Sequence, residues 1–98
     1  MKVLILGNLK DRDLFEMAEQ QLISTLDMPI NSLKILDALP EDLLYSDFVA
    51  VLIELVRISD AVMLLDGYEK ELAARIALVN AGKNEKTIYT LNGEGVKK

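Results

Sequence analysis

Three short apolar runs, "VLIL" at Val3 to Leu6, "AVMLL" at Ala61 to Leu65 and "TIYTL" at Thr87 to Leu91, constrain this chain most. Each is four or five residues long and contains β-branched members, and the first two are continuously apolar. Such runs suit strands buried on both sides, which occur in parallel sheets covered by helices. The segments between them support this reading. Leu14, Ala18 and Leu22 recur at helical spacing, flanked by Phe15 and Leu26, with Asp11 and Asp13 at the helix start. Leu44, Phe48, Val51, Leu52, Leu55 and Ile58 define a longer helix, with Pro40 and Glu41-Asp42 near its start. Glu69 to Ala81 forms a third helix that buries Leu72, Ile76 and Val79, with Gly82 and Lys83 as its stop.

The second strand is ambiguous, since "DMPIN" and "LKIL" both qualify and Pro29 fits only an edge strand or the first residues of a strand. The alternation of strand and helix predicts an α/β fold: a flavodoxin-like or Rossmann-like three-layer sandwich, with a parallel sheet of about four strands in the order 2-1-3-4. The 98 residues suffice for one domain with a single core. The polar stretch over 92–98 reads as a frayed tail.

Composition removes several kinds of chemistry. The chain has no histidine and no cysteine, and so lacks imidazole bases, thiol nucleophiles, disulfides and the usual zinc ligands. Neither a metal nor a cofactor is expected. A net charge of -5 argues against duplex nucleic acid as a partner, because phosphate neutralisation needs clustered Lys and Arg. No run approaches the ~20 apolar residues that span a bilayer, so the sequence reads as cytoplasmic with no membrane partner.

In the order 2-1-3-4 the ligand crevice lies where strands one and three diverge, at their carboxyl ends. Two turns border it, one containing Gly7, Asn8 and Lys10, the other Asp66, Gly67, Tyr68 and Glu69. Gly7 would let a ligand approach the backbone while the following amides face an anion, or would simply allow a tight strand exit. Lys10 with Arg12 could attract a phosphate or carboxylate locally, or be ordinary surface charge. Asp66 sits at the ligand end of its strand, roughly 16 Å from Asp60 at the other end, so the two cannot form a catalytic pair. Tyr68 offers a ring on which a base could stack, and Glu69 a carboxylate for sugar hydroxyls. Glu69 and Glu71 also complement a helix dipole, and Glu71 is spaced for an ion pair with Arg75.

The segment "ISDAVMLLDGYEKELAARIALVNAGK" resembles the nucleoside 2-deoxyribosyltransferase-like proteins, a flavodoxin-like family with many short bacterial and phage members. Asp60, Gly67, Tyr68, Ala74 and Arg75 match its pattern, with Tyr68 in place of a frequent tryptophan. "VLILGN" looks like the family's first strand, with Asn8 replacing a proline, and "MPINS" like its second strand. The resemblance implies a nucleoside or nucleotide ligand. It also implies a helix glutamate as nucleophile, and the matching position here is Ala77. A methyl group cannot attack an anomeric carbon, so impaired catalysis is expected, with Glu69 or Glu71 as the remaining catalytic alternatives. A viral or regulatory protein that sequesters a nucleotide signal is a further alternative. Leu43, Leu44, Val49, Val51, Ile53 and Val56 place apolar groups on more than one face of the long helix, which predicts a homo-oligomer through that helix.

Overall fold

The computed structural model describes residues 1–92 and 95–97. β1 (Lys2–Leu6) leads through α1 (Arg12–Ser24) to β2 (Met28–Asn31), and the short α2 (Ser32–Asp37) follows at once. Then come α3 (Tyr45–Ile58), β3 (Ala61–Leu65), a 3-10 turn (Tyr68–Lys70), α4 (Leu72–Lys83), β4 (Thr87–Asn92) and β5 (Gly95–Lys97). The sheet order is β2-β1-β3-β4-β5. β2, β1, β3 and β4 run parallel, which is the expected 2-1-3-4 arrangement. β5 pairs antiparallel with β4. Part of the stretch expected to fray is therefore a strand, while residues 93, 94 and 98 lie outside the described residues.

The pleat divides each buried run between two cores. Val3, Ile5, Ala61, Met63, Leu65 and Leu91 pack with Phe15, Ala18 and Leu22 of α1. Leu4, Leu6, Val62 and Leu64 pack with Leu55 and Val56 of α3 and with Ala74, Ala77 and Ala81 of α4. Every residue of β3 is buried, as its unbroken apolar run requires. β4 departs from the expected two-sided burial: over 87–91, Thr87, Ile88 and Tyr89 are half-buried, Thr90 is exposed and only Leu91 is buried, because its neighbour on the outer side is the short β5.

Four helix readings are corrected, and the open choice of second strand is settled. α1 ends at Ser24, and Leu26 sits in the following turn at φ 64, 92% exposed, instead of flanking the buried stripe. "LKIL" belongs to α2, because the Asn31 side chain accepts the Lys34 N–H and caps a helix there, leaving "MPIN" as the edge strand that tolerates Pro29. α3 begins at Tyr45 rather than near Pro40, and exposes Ile58. In the same helix Val56 is fully buried core, not surplus apolar surface. Finally, α4 begins at Leu72 and turns the opposite face inward. Ala73, Ala74, Ala77 and Ala81 are buried, whereas Leu72 and Val79 face solvent. Small side chains let this helix lie close to the sheet and α3, which large aliphatics would prevent.

One polar cluster fixes the edge of the sheet. The buried Asn31 amide donates to Glu19 of α1, whose carboxylate also takes the Lys34 ammonium at 3.0 Å. The Glu19 side chain keeps 15% of its exposure. Burial pushes its carboxyl up, but hydrogen bonds from Asn31 and Lys34 and the lysine's charge outweigh this and hold it below its ordinary 4.5. A lowered folded-state value means that this cluster stabilises the protein fully above 4.5, and that the contribution fades as pH falls through the lowered value. Glu19→Ala should cost about 1–2 kcal/mol at neutral pH by leaving a buried amide unpaired. The difference from wild type in urea unfolding should shrink below about pH 4. A pH-independent difference would show that the carboxylate's charge is not what holds the cluster.

Candidate functional site

The carboxyl ends of β1 and β3 meet as the strand order requires. Gly67 has φ 88, a left-handed conformation that favours glycine, and a Cβ built on it would sit 3.6 Å from the Asn8 Cβ. The two turns identified in the sequence are therefore neighbours. Asp66 continues from β3, its N–H donating to the Leu91 carbonyl at 3.1 Å, and the half-buried Tyr68 packs on the α3/α4 core. Asp66 and Tyr68 line a hollow of about 240 Å³ with Leu64, Leu65, Thr90 and Leu91. Thr90 and Leu91 escaped sequence reasoning. They lie here because Leu64 pairs with Thr90 and Leu65 with Leu91 in the parallel register.

In the first turn two amides are engaged within the chain. The Lys10 N–H donates to the Asn8 side-chain oxygen at 3.0 Å, and the Asp11 N–H to the Asn8 carbonyl at 2.9 Å. At the start of α1 the Asp11 carboxylate accepts the Leu14 N–H at 3.2 Å and so occupies the helix terminus with its own negative charge. Arg12 is bound to Asp37 at 2.9 Å. Gly7 serves packing: a Cβ there would come within 2.8 Å of the Leu65 Cβ. Asn8, Lys10, Gly67 and Glu69 do not line the hollow.

Among the acidic residues, neither Glu69 nor Glu71 borders the hollow. The Glu71–Arg75 ion pair predicted from spacing is not among the salt bridges of the described residues, and the two are linked only by the helical Arg75 N–H to Glu71 carbonyl bond. Asp60 lies at the opposite sheet edge, where its carboxylate accepts the Lys2 N–H at 2.8 Å and its own N–H returns to the Lys2 carbonyl. It joins the starts of β1 and β3.

Ala77 is fully buried among Leu4, Leu6, Val62 and Leu64. The position that the family resemblance would assign to a nucleophile is thus part of the core shared by α3 and α4. Larger open space exists at the α2–α3 connection, a hollow of about 490 Å³ walled by Leu36, Leu39, Leu43, Tyr45 and Phe48 with Asp37 and Glu41. It contains none of the sequence-predicted residues and lies off the strand ends where α/β sheets bind ligands. Among the described residues, no helix is long and apolar enough to cross a membrane.

Compared with protein-family models, with curated proteins and with solved structures, the chain matches none.

Proposed function

We propose that the chain is a cytoplasmic, self-associating protein that binds a nucleoside or nucleotide on a deoxyribosyltransferase-like fold, without that family's carboxylate nucleophile. The observation that carries this reading is the hollow lined by Asp66 and Tyr68 at the carboxyl end of β3. An aromatic ring beside a carboxylate suits a flat heterocycle with hydrogen-bond donors. At about 240 Å³ the hollow has room for one ring system, below the ~300–1,000 Å³ of most small-molecule sites. The rest of the ligand would extend over the open turns.

A thermal-shift screen with nucleosides, nucleotides and cyclic nucleotides tests the proposal. A ligand present at 100 times its dissociation constant adds about 2.7 kcal/mol to stability. Tyr68→Ala should weaken the binding of a responding ligand by about 1–3 kcal/mol, the range for stacking a base on an aromatic ring. If no compound shifts the transition at millimolar concentration, or if Tyr68→Ala leaves calorimetric affinity unchanged, the reading fails.

A further inference from the structure

α4 carries its aliphatic groups on the side away from the core. Leu72 is 50% and Val79 57% exposed, Ile76 is half-buried and Lys83 is exposed. Positions 72, 76, 79 and 83 follow the i, i+4, i+7, i+11 spacing of a single helical row. The buried alanines occupy the opposite row, and Leu72, Ile76 and Val79 belong to neither core cluster of the described residues.

We infer that the outer row of α4 is the face through which two copies of the chain associate, packed antiparallel about a two-fold axis. The inference deepens the self-association in the proposed function by assigning it to α4 rather than α3. The row is self-complementary. An axis between Ile76 and Val79 sets each Ile76 against Val79 of the second copy and each Leu72 against the aliphatic stem of its Lys83, an isologous contact. Charge selects the antiparallel direction. Glu69, Lys70 and Glu71 leave a net negative charge ahead of α4, which Arg75 offsets one turn in, while Lys83, Glu85 and Lys86 leave its exit net positive, so two exits side by side would repel. Antiparallel packing joins opposite ends and also pairs the helix dipoles favourably, whereas parallel packing joins like ends. A twelve-residue helix is about 18 Å long and buries less than the ~1,600 Å² of a standard interface, so the dimer should be weak.

Sedimentation equilibrium from about one to several hundred micromolar chain tests this range of affinity. The wild type should pass from monomer to dimer. Val79→Glu should weaken association at least tenfold, and so should Lys83→Glu. Adding Glu71→Lys to Lys83→Glu should restore most of the loss, while Ile53→Glu on α3 should leave the dissociation constant unchanged. Thermal melts of each variant verify folding. A monomer at all concentrations would overturn both this interface and self-association. A dimer that survives Val79→Glu but is broken by Ile53→Glu would overturn the α4 assignment and leave self-association standing.

Discussion

Replacing Ala77 with glutamate is expected to unfold the protein rather than to create a transferase. The family resemblance makes this substitution look like restoration of a nucleophile. The structure gives it a different consequence, because Ala77 is fully buried against Leu4, Leu6, Val62 and Leu64. A carboxylate there would be desolvated within a cluster whose buried members are all aliphatic. The close approach of α4 to the sheet depends on small residues, so glutamate would also be too large. Together these effects should cost about 3–5 kcal/mol, the scale of an uncompensated buried charge and a large part of a small domain's stability. Circular dichroism should show loss of the cooperative transition, and incubation with deoxynucleosides should show no base release. Ala77→Ser, which adds one hydroxyl able to bond the preceding turn, should remain folded. A stable, active Ala77→Glu variant would mean that α4 is rotated about its axis from the position described.

That contrast marks what the sequence reveals about the fold. β1 and β3 were legible because strands buried on both faces cannot hide their apolar runs, and alternation with helices then fixes a parallel order; β4 was legible as a strand although over 87–91 only Leu91 is fully buried. The inward face of α4 was not legible. Periodicity identifies rows but does not say which row is inward, and Leu72, Ile76 and Val79 are the more hydrophobic choice. The distance between helix and sheet decided in favour of the alanines. β2 was ambiguous for a related reason: the Asn31 cap that makes "LKIL" helical competes with a strand propensity of similar strength. At the candidate site, Asp66, Gly67 and Tyr68 could be read because they directly follow a certain strand. Thr90 and Leu91 depend on the β3–β4 register, which no local pattern carries. At the other turn the amides of Lys10, Asp11 and Leu14 are taken by Asn8 and Asp11 within the chain, a pairing that side-chain identity alone does not reveal.

Gly7→Val should destabilise the protein by about 3 kcal/mol, the upper end of the usual cost of overpacking. Gly7 was a candidate for ligand approach, yet the missing side chain is filled by the protein itself. A built Cβ lies 2.8 Å from the Leu65 Cβ, 3.0 Å from its Cδ1 and 3.2 Å from its Cγ. The nearest atom is the one fixed to the backbone of β3, so a rotamer change in Leu65 cannot relieve the contact. Relief requires separation of β1 from β3, which are paired through Leu6 and Leu64 at this end of the sheet. Leu65→Ala removes the Cδ1 and Cγ contacts but keeps the Cβ, and it opens a cavity in a core where leucine truncation costs about 2–5 kcal/mol. The double variant should therefore be less stable than either single variant, although by less than the sum because part of the clash disappears. Urea denaturation of the four proteins in this cycle would measure the coupling. A Gly7→Val variant with wild-type stability and lost ligand response would return Gly7 to a direct binding role. Loss of stability alone, with the ligand response preserved in the folded fraction, would make Gly7 a packing residue that holds the β1 and β3 turns side by side.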